Sequence, residues 1–146
     1  MADPAPEDRP AVWPFMTALV IIVLVVIAIG LLNLSGDEER PPDQQVAIAA
    51  VGQNDALQRQ NYADFRSYTC AAQQGTEAEV LAAQRDSVAK RGERFVDDVT
   101  EVTIDGDRAT ATVTYHFDKA PDAKEDVEMT FVRDGEAWKV CSPGPR

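Results

Sequence analysis

The chain has 146 residues, 45% of them hydrophobic and 27% charged, which leaves room for one domain of ordinary size and a short extra segment. Acidic residues outnumber basic ones 25 to 14, a formal net charge of −11, and no basic patch of the kind that neutralises phosphate is visible, which excludes nucleic acid as a partner. One His and two Cys exclude a four-ligand zinc site built from this chain alone, and nothing in the sequence asks for a cofactor.

The first element is an uncharged run from Phe15 to Leu34. As a helix rising 1.5 Å per residue it would span about 30 Å, the thickness of a bilayer core. Pro14 stands where a helix can begin, since its missing N–H would be unpaired there anyway, and Trp13 stands at the head of the run, where an amphipathic ring would meet lipid headgroups. A buried core helix apolar on every face would need a much larger surrounding domain. A cleaved signal peptide would need a basic leader and a shorter apolar stretch, whereas residues 1–14 carry one Arg against Asp3, Glu7 and Asp8. The expectation is a membrane-spanning anchor over 15–34 in contact with the lipid bilayer, preceded by a tail at 1–14. Arg9 and Arg40 leave the positive-inside count tied. Two cysteines that suit a disulfide favour an extracytoplasmic C-terminal part and a cytoplasmic N-terminus in the plasma membrane.

Residues 35–42 are charged and hold Gly36 and the Pro41-Pro42 pair, so they read as an extended linker. Residues 43–146 remain for a domain with its own core. Val46, Ala49, Ala50 and Leu57 fall at helical spacing after the prolines. Asn61 can cap a short second helix with Tyr62 and Phe65 on one side. Thr76-Glu-Ala-Glu79 fits a capping box, and the helix it opens carries Val80, Leu81 and Val88 and stops by Gly92.

After Gly92 the period becomes 2. Ala109, Ala111, Val113, Tyr115 and Phe117 alternate with threonines and His116; Val127, Met129 and Phe131 alternate likewise. Asp105-Gly106 and Asp134-Gly135 are hairpin dipeptides, because those positions favour positive φ. Four strands are predicted, near 95–104, 108–118, 125–133 and 136–141. Helices followed by an antiparallel meander make an α+β fold, about three helices on one face of a four-stranded sheet. That face would hold Val102, Ile104, Val113, Tyr115, Phe117, Val127, Met129, Phe131, Trp138 and Val140.

This order, with the aromatic segment Gln60-Asn-Tyr-Ala-Asp-Phe-Arg-Ser-Tyr-Thr-Cys70 and the closing Trp138-Lys-Val-Cys141, resembles the nuclear transport factor 2-like (cystatin-like) superfamily. In particular it resembles the membrane-anchored versions of mycobacteria and other actinobacteria. The resemblance covers roughly residues 43–142 and implies a cone of helices on a curved sheet that can hold a ligand, a catalytic site or a partner surface.

Cys70 and Cys141 suit a staple between helix layer and sheet edge; the alternative is two buried free thiols. By strict alternation Cys141 lies opposite Trp138 and Val140, so a bridge requires the strand to end or twist there. Tyr62, Phe65, Tyr115, Phe117, Phe131 and Trp138 either line a cavity or form plain core. His116 falls on the polar sheet face and reads as a surface histidine. Asp97-Asp98, Asp105/Asp107 and Asp122/Glu125/Asp126 fall at turns and strand edges, where acids form a solvated rim. Thr110, Thr112, Thr114, Glu128 and Thr130 make a polar platform that is either simply hydrated or, as the resemblance implies, a dimer face.

The preferred reading is a non-enzymatic single-pass membrane protein whose outer domain associates with itself or with envelope or transport-complex proteins. An envelope ligand-binding domain with a pocket between helices and sheet is the alternative. An isomerase- or cyclase-type enzyme would have to be assembled from Tyr62, Asp64 and Tyr115.

Overall fold

The computed structural model describes residues 13–34 and 40–144, with the side chains of 13–15 and 32–34 left out. Most of the tail at 1–14 and of the linker at 35–42 therefore lies outside the described residues. The chain divides into two compact units, the second starting at Arg40.

The first unit is the helix α1, Trp13–Leu34, with no acidic residue in its first turn and no basic one in its last. Its described side chains, Met16 to Leu31, are apolar apart from Thr17 and almost all exposed. Among the described residues no helix is long and apolar enough to cross a membrane.

The second unit runs α2 (Pro42–Gln58), α3 (Tyr62–Ser67), a 3-10 turn at Ala71–Gln73, α4 (Glu77–Arg91), then β1 (Arg94–Asp105), β2 (Arg108–Phe117), β3 (Ala120–Asp134) and β4 (Ala137–Val140). The strands form one antiparallel meander in the order β1-β2-β3-β4. The α+β expectation holds.

Local chemistry explains the helix ends. Pro42 opens α2, where the lost N–H costs nothing. Gln60, at φ 53°, closes it: the amide of Asn61 donates to Ala56 O at 2.9 Å and that of Gln60 to Leu57 O at 3.0 Å. Asn61 then caps α3 by accepting from the Asp64 amide at 3.1 Å. At α4 the predicted box is complete: Thr76 Oγ1 accepts from the Glu79 amide, and the Thr76 amide donates to Glu79 Oε2.

Val46, Ala49 and Ala50 of α2 bury against Ala109, Ala111, Val113, Tyr115, Met129, Phe131, Trp138 and Val140. Alanines on both sides bring helix and sheet close together. Of the predicted inner face, Val102 and Val127 are only partly buried and Ile104 is 39% exposed. Ile104 pairs with Ala109 just before the Gly106 turn.

Two strand boundaries differ from expectation. β3 begins at Ala120 rather than near 125, because the β2–β3 turn is only Asp118-Lys119. That turn is held from outside: the Asp118 amide donates to Glu93 O at 2.9 Å and the Lys119 amide to Arg91 O at 3.2 Å. Gly92, at φ 84°, lies against it so closely that a Cβ would sit 2.9 Å from Asp118 Cβ. β4 ends at Val140, so Cys141 is free of strand alternation.

Candidate functional site

The residues between Phe65 and Gln73 join the helices to the sheet edge. Thr69 forms a parallel bridge with Val140: the Val140 amide donates to Tyr68 O at 2.8 Å and the Cys70 amide to Val140 O at 2.9 Å. Beside this bridge Cys70 and Cys141 form a disulfide, S–S 2.00 Å and Cα–Cα 5.2 Å. The predicted staple is present, and its geometric tension disappears because the strand has already ended. Inside it, Gln53 Nε2 donates to Thr69 Oγ1 at 2.9 Å and Thr69 Oγ1 donates to Phe65 O at 2.7 Å, which satisfies polar groups that are almost fully buried.

α4 does not bury an apolar stripe as α2 does. Val80, Leu81 and Val88, read as its core face, are only half-buried, and its one buried residue is Gln84, at 8% exposure. Gln84 Nε2 donates to Gln58 Oε1 at 3.1 Å, so a polar bridge rather than an apolar seam ties α4 to α2.

The stand-off leaves an open-sided cleft of about 490 Å³, within the range of roughly 300–1,000 Å³ usual for small-molecule sites. Gln53 and Leu57 of α2, Phe65 of α3 and Gln73 line one side. Val80, Ala83, Gln84, Asp86, Ser87, Lys90 and Arg91 of α4 line the other, and Arg94 with Ser142, Pro143 and Gly144 completes the lining. The 142–144 segment is positioned by the disulfide at 141 and by Ser142 Oγ, which accepts from the Thr130 amide at 3.0 Å.

Arg94 is the most constrained polar group of the cleft. Its Nε donates to Asn54 Oδ1 at 2.7 Å while Asn54 Nδ2 returns a bond to Arg94 O at 3.0 Å, and its guanidinium lies 5.2 Å from the centre of the Tyr115 ring. Burial lowers its pKa from the ordinary arginine value and the nearby Arg91 charge lowers it further, against a raising contribution from Tyr115. Arg91 ion-pairs with Glu125 and stacks its guanidinium 3.6 Å over the Phe117 ring. Lys90 bonds Asp86 at 2.6 Å across one helical turn, both exposed. Asp86 is the one carboxylate among the described lining residues. The cleft is thus equipped to hold and orient a molecule.

Of the six aromatic residues read as cavity lining or core, Phe65 alone lines the cleft. Tyr115, Phe117, Phe131 and Trp138 are at most 4% exposed and fill the domain's interior. Tyr62 stacks on Phe65 and donates to Gly75 O at 2.6 Å. Of the other two residues weighed for an enzyme, Asp64 binds Arg59 and Asn61, and Tyr115 donates to Met129 Sδ at 2.9 Å. His116 lies on the outer sheet face, its Nδ1 2.7 Å from Asp97 Oδ2 and its ring stacked on Phe95. Asp126 accepts from Thr114 Oγ1, and Asp107 lies 3.9 Å from Arg133. Asn54, Gln84, Arg91 and Arg94 had no place in the sequence reading. For Arg91 and Arg94 the available signal was Lys90-Arg-Gly-Glu-Arg94, three cations in five positions of an acidic chain; Asn54 and Gln84 carried none.

The family described as low molecular weight antigen MTB12, C-terminal domain, matches residues 70–142, half of the chain, from the first cysteine to just past the second. None of the curated proteins matches this chain. Among solved structures, it is similar to a nuclear transport factor 2-like protein of Campylobacter jejuni (15% identity, 64% of this chain and 94% of that one, TM-score 0.46). It is also similar to a protein of the same family from Streptomyces avermitilis (20%, 66% and 88%, TM-score 0.42) and to a cystatin-fold protein of Novosphingobium aromaticivorans (11%, 64% and 92%, TM-score 0.41).

Proposed function

This chain belongs to the family of the low molecular weight antigen MTB12 C-terminal domain, and we propose that it is a non-enzymatic, membrane-tethered envelope protein whose outer domain binds a small ligand in the cleft between α2 and α4. The observation that carries this reading is the cleft itself, a preformed site of ligand size beside a core already filled by its own aromatic residues. A binding role fits a lining whose single described carboxylate is engaged by Lys90 on the rim. The tether is supported by the uncharged run Phe15–Leu34. The extracytoplasmic placement is supported by the disulfide, since such bonds persist in oxidising compartments.

Native mass spectrometry of the full chain extracted from its own envelope tests the reading. The wild type should carry a small-molecule adduct that Ala83→Trp, which fills the cleft from α4, lacks. A wild type without adduct after incubation with an envelope extract overturns it.

A second reading, association through the open sheet face, is favoured by Phe95. It is 42% exposed and stacks on His116 among Thr112, Thr114 and Glu128. Sedimentation of the full chain and of Phe95→Glu in lipid nanodiscs separates the two: an oligomer lost in the variant supports association, and identical monomers refute it.

A further inference from the structure

We infer that the cleft takes a neutral hydroxylated ring, a sugar or cyclic polyol, held through its hydroxyl groups by Gln53 and Gln84 with its C–H face on Leu57, Phe65 and Val80. The inference rests on the ligand-binding reading above and names the chemistry of that ligand. Two lining side chains, Gln53 and Gln84, are polar and yet more than nine-tenths buried. The orientation of the Gln53 amide is fixed by its neighbour. Thr69 spends its O–H on Phe65 O at 2.7 Å, so its oxygen can only accept, and it accepts from Gln53 Nε2 at 2.9 Å. Gln53 Oε1 therefore faces away from Thr69, and no described residue donates to it. The Gln84 amide is placed alike: Nε2 goes to Gln58 Oε1 and the oxygen is left over. A buried acceptor that lacks a donor costs free energy until a partner supplies one.

A hydroxyl or an ammonium group could supply that donor, and the rest of the lining separates the two. Lys90 and Arg91 are already ion-paired, with Asp86 and Glu125, so these charges ask for none from a ligand. Ser142 Oγ accepts from the Thr130 amide at 3.0 Å and keeps its own O–H as a donor. A cleft that offers acceptors and a donor together matches a group that both gives and takes a hydrogen bond. A hydroxyl does so and an ammonium does not. The spacing fits one ring. Gln53 and Gln58, the partner of Gln84, lie five residues apart on α2, about 7.5 Å along its axis. One six-membered ring covers that gap with hydrogen bonds of about 2.8 Å at its edges. Its C–H face then lies against the apolar side chains Leu57, Phe65 and Val80.

The test uses the full chain in phosphatidylcholine nanodiscs and reads affinities from the slowing of amide hydrogen exchange at 77–91 as each of four probes is raised. The probes are methyl glucoside, 2-methoxytetrahydropyran (the same ring without hydroxyls), methyl glucuronide and methyl glucosaminide. Methyl glucoside is expected to bind most tightly, roughly tenfold better than the ring without hydroxyls, the order that one or two hydrogen bonds supply. In Gln84→Met that advantage should fall below about threefold, with the exchange of β2 and β3 unchanged. Gln53→Met should do the same, and Gln84→Met, which leaves the Thr69 bonds intact, decides the matter where Gln53→Met loosens the sheet. An advantage kept in Gln84→Met overturns the inference. Equal binding of 2-methoxytetrahydropyran, or tighter binding of either charged sugar, also overturns it and leaves the cleft reading standing; slowing by none of the four overturns both. Nanodiscs containing a glucosyl diacylglycerol, with no probe added, assign the source: slowing there identifies a lipid-borne sugar, and its absence a free one.

Discussion

At the scale of single residues, two contacts make sharp predictions. Gly52 sits in the middle of α2, where glycine is otherwise a poor choice. A Cβ there would meet the Tyr68 ring at 2.6 Å, so the ring's position over the helix requires the missing side chain. Gly52→Ala gains helix propensity but overpacks this contact, and the net result should be a loss of about 1–3 kcal/mol; urea unfolding should show a lower midpoint, and an unchanged or higher one would refute the contact. The second is the Asp97–His116 pair. The hydrogen bond from His116 leads the causes that hold the Asp97 carboxyl below its ordinary pKa; desolvation opposes it, and the His116 and Lys124 charges add smaller lowering contributions. A group depressed in the folded state contributes stability that is present above its unfolded pKa and is lost as pH falls through the folded one. Unfolding of wild type and Asp97→Asn should therefore differ at neutral pH and converge as pH falls through the ordinary carboxylate value and on through the lower folded-state one. A gap that widens on acidification contradicts the assignment.

At the scale of elements, the two ends of α4 show what can and cannot be read in advance. Its start is written locally: Thr76 and Glu79 satisfy each other's backbone partners, and both residues lie in one tetrapeptide. Thr76→Ala should cost about 1 kcal/mol, measurable as a lower thermal midpoint with no change in fold. Its packing is not written locally. Val80, Leu81 and Val88 have helical spacing, yet the buried residue is Gln84, because its partner Gln58 lies 26 positions earlier on another helix. The cleft follows from that stand-off, which is why spacing alone did not show it. β2 was legible throughout, since alternation with β-branched residues is a property of its own ten positions. The start of β3 was not, because Glu93 O and Arg91 O from outside the hairpin fix the Asp118-Lys119 turn. Asp97 reaches His116 through a register shift between Val96 and Asp98, which period-2 counting cannot anticipate. The aromatic residues were legible as apolar and inward, and the choice between cavity wall and core was made by α2, whose alanines leave no gap beneath it.

At the scale of the whole molecule, the disulfide links fold and site. Its closure spans 71 positions, and in the chain-entropy model such a loop contributes about 4 kcal/mol by restricting the unfolded state. It also fixes both chain segments that flank the cleft, Phe65–Gln73 on one side and Ser142–Gly144 on the other. A Cys70→Ser, Cys141→Ser double variant should therefore unfold at lower denaturant and show faster amide exchange at 68–73 and 142–144 than in β2. After Leu34 the sequence carries 22 acidic and 13 basic residues, a net charge that anionic lipid headgroups would repel. Because both cysteines of the chain are in the bridge, one measurement addresses bond and side together. Intact cells treated with a membrane-impermeant maleimide should show no labelling of the wild type, and full labelling once an impermeant reductant is added first. Labelling that appears only after lysis, with no reductant needed, would place reduced thiols on the cytoplasmic side and remove the support for an envelope ligand.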